Sequence, residues 1–183
     1  VTGVTISKEQ YEYAKKRLSR YDGIAEVRLQ DYREITGEYT QIVSIEMFEA
    51  LGGEYWKKYF KILHSILKPG GKMIIQTITI NNNDFSSYRR CSDFIQQYIF
   101  PGGLLPSPDI FRSTAVKQGF RYVGDFEFGL DYGLTLKRWE ENFTRVLDKI
   151  KDLGFDEKFI RTWKFYLKYC QGGFEAKKLA CHN

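Results

Sequence analysis

The clearest place for ligand chemistry in this sequence is the junction between an apolar strand and the helix that follows it. Residues 1–6 are rich in β-branched side chains and predict a buried strand. Ser7 is a typical helix N-cap, and Gln10, three positions on, completes the spacing of a capping box. A strand end that opens onto a helix N-terminus presents free N–H groups and a polar side chain to a ligand. The spacing therefore predicts a binding site, although a plain helix cap is the alternative interpretation.

Two polar side chains stand in or beside apolar strands. Glu49 follows an apolar run at residues 41–45, and an ionised glutamate can only accept hydrogen bonds. Gln76 interrupts residues 72–80, which form the most continuous β-branched run, and its amide can donate a hydrogen bond to an anion. Both residues are therefore candidates for binding a ligand. The alternative interpretation of Glu49 is an exposed loop carboxylate, and that of Gln76 is an amide whose hydrogen bonds are satisfied within the core.

The cysteines and histidines support neither a zinc site nor a disulfide framework. Cys91, Cys170 and Cys181 form no CxxC pair, and His64 lies far from His182. We therefore expect no metal and a reducing, cytoplasmic environment.

The composition is that of one globular domain, and its mildly basic surface requires no partner. The chain has 183 residues, of which 43% are hydrophobic, 28% charged and 16% aromatic, and a net charge of +5. This charge suits a phospholipid surface, a nucleic acid or an anionic small molecule without choosing among them. No apolar run reaches the ~20 residues of a membrane span, so we expect any membrane contact to be peripheral.

Alternating strand and helix patterns predict an α/β sheet with right-handed crossovers in a single domain, residues 1–183. Residues 72–80 are expected to form a central parallel strand that is covered on both faces. Further strands are predicted at residues 1–6, 25–29, 41–45 and 120–128. Helices are predicted at residues 7–19, 54–67, 88–100, 109–117, 135–153 and 156–170.

Six segments in chain order resemble the cyclopropane fatty acid synthase and mycolic acid cyclopropane synthase family. They are VTGVTISKEQ, QDYREI, IVSIEMFEALG, ILKPGGKMIIQTITI, YIFPGGLLPS and DYGLTLKRW, and together they span essentially the whole chain. FPGGxLPS followed by DYxxTLxxW is a far more restrictive pattern than LKPGG, which many class I methyltransferases share. The resemblance implies a Rossmann-like class I methyltransferase sheet with a helical acyl-chain-binding insertion. Residues 84–118 and 132–172 would be its helical lipid-binding elements.

The resemblance also implies where S-adenosylmethionine binds. One group of residues matches the stretch that grips the ribose and adenine of the cofactor: Thr5, Ile6, Ser7 and Gln10. A second group matches the loop beside the adenine, where a carboxylate can accept from the amino group and an aromatic ring can stack: Asp31, Tyr32 and Arg33. A solvated loop is the alternative interpretation of the second group.

The implied reaction is methyl(ene) transfer to the double bond of unsaturated acyl chains of phospholipids, giving cyclopropane fatty acids. Family enzymes then remove a proton with a bound bicarbonate, and the matching residues here are Glu49, Gln76, the backbone of Ile78, and Tyr132. Gln76 stands where the family has histidine. Because an amide can donate a hydrogen bond but cannot carry a proton away, we predict that Gln76 preserves binding of the base and changes how the proton leaves. A methyl-branched product is the alternative.

Cys170 matches a cysteine once proposed as a nucleophile in this family. Methyl transfer to an alkene needs no enzyme thiolate, and a helix-end cysteine is usually a packed apolar residue. The resemblance further implies a glycine-rich loop upstream of Val1 and a last antiparallel strand beyond Asn183, so the domain is expected to be truncated at both ends and inactive alone.

Two other functions compete with this interpretation. A non-catalytic lipid- or cofactor-binding remnant is favoured by the absence of a GxGxG loop. A nucleic-acid methyltransferase is disfavoured, because no proline is followed by the Pro or Cys that such enzymes use. We therefore expect unsaturated acyl chains and a phospholipid membrane surface as partners, with the protein held peripherally on the membrane and no nucleic acid bound.

Overall fold

The computed structural model describes residues 1–183 as an alternation of five strands and eight α-helices. The strands are β1 (Thr2–Thr5), β2 (Glu26–Leu29), β3 (Tyr39–Ile45), β4 (Leu67–Ile80) and β5 (Leu179–His182). The helices are α1 (Lys8–Leu18), α2 (Trp56–Ile66), α3 (Asn82–Tyr88), α4 (Phe94–Tyr98), α5 (Pro108–Lys117), α6 (Gly129–Arg145), α7 (Leu147–Asp152) and α8 (Glu157–Glu175).

The strands form two sheets that are not hydrogen-bonded to each other. β1 pairs with β2 in parallel, β3 pairs with β4 in parallel, and β5 joins the other edge of β4 in the antiparallel direction. The parallel register aligns Thr5 with Leu29, and Ile45 with Gln76. Each parallel pair therefore presents its carboxyl ends, and the loops that follow them, at one edge. The predicted α/β class is confirmed.

An aromatic cluster between α2, α5 and the β3–β4 pair forms the main core. Phe48, at its centre, is completely buried, and its ring lies 5.0 Å from that of Phe111 and 5.2 Å from that of Tyr59, measured between centroids. Both pairs are edge-to-face, the arrangement that aromatic quadrupoles favour. Phe48 lies in the turn after β3, so this packing fixes the backbone that leads to Glu49.

A second cluster joins α6, α8 and β5 around four buried residues. These are Leu136, Leu167, Phe174 and Cys181. Gly133 on α6 faces Phe174 on α8, where a Cβ would lie at an ordinary contact distance of 3.6 Å. None of the helices combines the length and apolar character that crossing a membrane requires.

Three predicted elements differ from the structure. The helix predicted at residues 88–100 is shorter: α3 ends at Tyr88, where the prediction began, and within the predicted range only α4 forms, started by a capping box between Asp93 and Gln96. The helix predicted at residues 135–153 begins earlier, at Gly129, and is interrupted at Val146. The strand predicted at residues 120–128 is mostly irregular; it has no partner along most of its length, and only Glu127 forms a bridge, to His182.

Two expectations about the sheet also need correction. β4 is uncovered on one face around Ile74, which is 56% exposed, as are its neighbours Val43 and Ile45 on β3 at 64% and 63%, whereas farther along Ile78 packs against the second cluster. An antiparallel strand, β5, already lies before Asn183, where the sequence placed such a strand beyond it.

Truncating Phe48 to alanine should destabilise the fold by about 3–5 kcal/mol, because it removes a fully buried aromatic ring and leaves a cavity. The measurement is chemical denaturation, with Leu153→Ala as control because Leu153 is 75% exposed. Equal losses in the two variants would show that Phe48 does not organise the core.

Candidate active site

The site is built around Glu46, the residue that follows β3. Its backbone φ is 49°, in the left-handed region that residues with a side chain rarely adopt. The strand ladder nevertheless continues through it, since the Glu46 N–H donates to the Gln76 carbonyl at 2.9 Å. Such a conformation costs about 1–3 kcal/mol and persists where surrounding contacts require it.

Those contacts are two hydrogen bonds to the Glu46 carboxylate from different elements. Gln76 on β4 donates from Nε2 to Oε1 at 2.7 Å, and Tyr132 on α6 donates from its hydroxyl to Oε2 at 2.7 Å. Both oxygens of one carboxylate are thus held by the two side chains that the sequence predicted as donors to an anion.

Glu49 supplies a second carboxylate beside this group. The Ile78 N–H donates to Oε1 of Glu49 at 2.5 Å, while Oε2 is buried and has no partner. Burial raises the pKa of Glu49, and the hydrogen bond from Ile78 opposes this effect in part. The fold thus favours the protonated form of Glu49 more than water does.

The FPGGLLPS segment holds the Glu49 turn in place. Leu104 N–H donates to the Glu49 carbonyl at 3.1 Å, and a Cβ on Gly103 would come within 2.9 Å of that same oxygen. Only glycine fits this approach without displacing the backbone. At the other end of the segment, the Pro106 carbonyl accepts from Ile80 N–H at 3.0 Å, which ties the loop to the end of β4.

The DYGLT segment forms the start of α6 and positions Tyr132. The Tyr132 ring stacks on Phe174 with 4.7 Å between centroids, beside Gly133. Burial raises the pKa of Tyr132, and the Glu46 carboxylate that accepts its hydrogen bond raises it further. Tyr132 therefore stays protonated and acts as a donor at neutral pH.

The stretch predicted to grip the cofactor lies where β1 meets α1. Ser7 caps the helix by accepting from the Gln10 N–H at 3.2 Å, as predicted. The reciprocal half of the capping box is absent, because Thr5 takes its place: its hydroxyl accepts from Ser7 N–H and donates to Gln10 Oε1. Ile6 is 77% exposed between them. An exposed apolar side chain beside a helix N-terminus fits a ligand such as S-adenosylmethionine.

The second predicted cofactor group follows β2, at the same edge as Thr5. Asp31 accepts from the Arg33 guanidinium at both oxygens, at 3.0 and 2.6 Å, and these bonds hold the pKa of Asp31 below its usual value. Tyr32 is half-buried, with its ring edge-to-face with Tyr59. The side chains are thus pre-arranged, and Asp31 keeps further lone pairs for a donor.

Cys170 lies on α8 and packs against the second core cluster. It takes no part in the hydrogen bonds of Glu46 and Glu49. Burial raises the pKa of its thiol to about 12. Cys181 is fully buried, and its pKa is raised to about 12 for the same reason. No group of three acidic, histidine or cysteine side chains is arranged to hold a metal.

Glu46 is the site residue that sequence reasoning missed. Its position in the sequence could have identified it. An acidic residue directly after an apolar strand lies at the carboxyl edge of a parallel sheet, where ligands of α/β proteins bind. Glu49, Gln76, Ile78 and Tyr132 are brought together as the sequence predicted.

The predicted bicarbonate does not fit this arrangement. Its three expected donors are already engaged by the chain's own carboxylates: Gln76 and Tyr132 by Glu46, and the Ile78 N–H by Glu49. A further anion would lie against two carboxylates without donors to balance its charge.

The fold is that of class I S-adenosylmethionine-dependent methyltransferases. The chain superposes along its whole length on 67% of the mycolic acid cyclopropane synthase CmaA1, solved with SAH and CTAB, with a TM-score of 0.89 and 25% identity. The cyclopropane synthase MmaA2 from Mycobacterium tuberculosis gives a TM-score of 0.90 over the same share of its chain, at 24% identity, and supports the fold.

The family follows from sequence comparison. The model of the mycolic acid cyclopropane synthetase family matches residues 1–183. The tuberculostearic acid methyltransferase UfaA1 of Mycobacterium tuberculosis is 39% identical over 96% of the chain, and the cyclopropane-fatty-acyl-phospholipid synthase of Escherichia coli is 35% identical over 98%. The chain belongs to this family. It spans less than half the length of these two relatives, 42% and 45%.

Replacing Glu49 with glutamine should stabilise the protein above the ordinary glutamate pKa of 4.5. Because folding raises this pKa, the stability of the native protein falls as the pH rises through the raised value, and glutamine removes that loss. We expect a gain in stability at pH 8 that vanishes below pH 4.5.

Thermal melting across this pH range provides the measurement, with Glu141→Gln on the exposed surface of α6 as the matched control. An unchanged or lower melting temperature for Glu49→Gln at pH 8 would contradict the assigned burial of this carboxyl group.

The three thiols should differ sharply in reactivity. Cys91 is exposed, whereas burial raises the pKa of both Cys170 and Cys181 to about 12, so little thiolate forms on them at pH 8. A disulfide reagent should therefore label Cys91 first and the other two only after denaturation. Rapid labelling of native Cys91→Ser protein would refute this order.

Proposed function

We propose that this protein methylates the double bond of unsaturated fatty acyl chains in phospholipids, with S-adenosylmethionine as methyl donor. The observation that carries the proposal is an apolar groove adjoining the carboxylate site. The groove has a volume of about 630 Å³, and its lining comes from α6, α8 and the turn after α6: Trp139, Asn142, Phe143, Arg145, Val146, Trp163, Tyr166 and Leu167.

The groove connects with the site through α6. Trp139, in the groove lining, lies edge-to-face with Tyr132 at 6.4 Å between ring centroids, and Tyr132 donates to Glu46. An acyl chain bound in the groove would therefore extend toward the carboxylates of Glu46 and Glu49. An apolar groove with a few convergent polar groups at one end is typical of a site for a long apolar substrate.

Aromatic side chains also suit the charge that develops in this reaction. When bound, S-adenosylmethionine supplies a methyl group to one alkene carbon, which leaves positive charge on the other carbon. The faces of Trp139 and Tyr166 can stabilise a cation. The cofactor would be held by the group from Thr5 to Gln10 and by the loop of Asp31, Tyr32 and Arg33.

The product is proposed to be a cyclopropane fatty acid, with a methyl-branched chain as the second candidate. One relative is named a cyclopropane synthase and the more similar one a tuberculostearic acid methyltransferase. Gln76 cannot relay a proton as the family's histidine does, so a cyclopropane product requires another proton acceptor in the site.

Binding to the membrane would be peripheral. The net charge of +5 would attract an anionic phospholipid surface. The competing interpretation, a non-catalytic lipid- or cofactor-binding remnant, is weakened by the carboxylate site, because binding alone requires neither Glu46 in a strained backbone nor a buried Glu49.

The test expresses the complete gene in a host with unsaturated phospholipids and analyses the fatty acids by mass spectrometry. We expect acyl chains heavier by one CH2 unit, or by CH2 and two further hydrogens where the intermediate is reduced. Tyr132→Phe, which lacks one hydroxyl of the site, serves as the comparison and should give much less product. Unchanged fatty acids with the wild-type gene would contradict the proposal.

A further inference from the structure

We infer that the Glu46 carboxylate, rather than a bound bicarbonate, is the base that removes the proton after methyl transfer. The inference rests on the proposed function and adds to it a catalytic residue. Its evidence is the pair of 2.7 Å hydrogen bonds through which Gln76 and Tyr132 both donate to Glu46. The two donors expected to hold an external base hold a carboxylate of the chain itself.

The backbone supports a functional role for this carboxylate. A non-glycine residue with a φ of 49° directly at the end of a strand is strained, and its side chain reaches Gln76 on β4 and Tyr132 on α6. A glycine or asparagine would relieve it. Keeping glutamate here is consistent with a need for its carboxylate at this point.

Gln76 then has a specific part in the site. Its amide donates to Glu46 Oε1, and because an amide does not titrate, it leaves the carboxylate as the only proton acceptor of the pair. A histidine in this position could share the proton. Gln76 on β4 and Glu46 after β3 therefore provide a general base from the chain itself, without a bound anion.

Glu49 completes the environment without competing for the proton. Burial raises its pKa, and its Oε1 is occupied by the Ile78 N–H. Because burial penalises the charged form of Glu49, the carboxylate of the more exposed Glu46 is the better placed proton acceptor.

The proton removed by Glu46 comes from the added methyl group. After one alkene carbon has bonded to the methyl carbon, the neighbouring carbon carries the positive charge. Glu46 accepts a proton from the added methyl group, and the electron pair of that C–H bond forms the third carbon–carbon bond and closes the ring. Protonated Glu46 later returns the proton to solvent, so no oxidant or reductant is required.

The experiment measures methylation of unsaturated phospholipid vesicles by the complete protein in buffer freed of carbon dioxide and in buffer with added bicarbonate. We expect the wild-type rate to be the same in both. Glu46→Gln should lose at least about 100-fold in rate, since general-base catalysis contributes about 10²–10⁴-fold. Glu141→Gln serves as the matched control and should keep the full rate.

Glu46→Gly provides a rescue test, because glycine adopts a φ of 49° freely and frees the Gln76 and Tyr132 donors. This variant should be inactive without bicarbonate and regain activity when bicarbonate is added. Its melting temperature should rise with bicarbonate, while that of the wild type should not, because only the variant has an open anion site.

The inference would be overturned by a wild-type rate that falls when bicarbonate is removed, by an active Glu46→Gln variant, or by bicarbonate raising the wild-type melting temperature. A wild type inert toward every unsaturated lipid would instead refute the proposed function and the base role with it. In that case the melting comparison still decides whether Glu46 fills the anion site.

Discussion

The bridge from Glu46 to Gln76 and Tyr132 is the interaction on which the site depends. It joins the end of β3, the middle of β4 and the start of α6 through one carboxylate, with both donor distances at 2.7 Å. Charge-assisted hydrogen bonds of this kind are stronger than neutral ones and hold the geometry of their donors. The strained backbone of Glu46 is stable because the ladder of β3 and β4 and these two bonds act together.

The family's sequence motifs position this bridge. Gly103 lets the FPGG turn approach the carbonyl of Glu49, and the stacking of Tyr132 on Phe174 fixes the start of α6. Phe48, between Glu46 and Glu49, anchors the intervening turn in the aromatic core. Backbone approach and aromatic packing thus position the carboxylates, whereas the polar side chains themselves supply the chemistry.

The sequence predicted the elements with strong local patterns and missed those that depend on distant partners. The strands β1 to β4 and the helices α1, α2 and α5 follow from periodicity and capping, for example at Ser7. The irregular stretch at residues 120–128 could not be predicted, because its apolar residues resemble those of a strand. Whether they form one depends on the position of β5, and only Glu127 lies where it can pair with that strand. Glu46 was missed because its role comes from two hydrogen bonds over 30 and 86 residues of sequence.

The chain's own carboxylate occupies the place between Gln76 and Tyr132. A crystal structure of the complete protein, grown with bicarbonate present, measures this directly. We expect Glu46 within hydrogen-bond distance of both side chains and no anion between them. Density for an anion held by Gln76 and Tyr132, with Glu46 turned away, would contradict it.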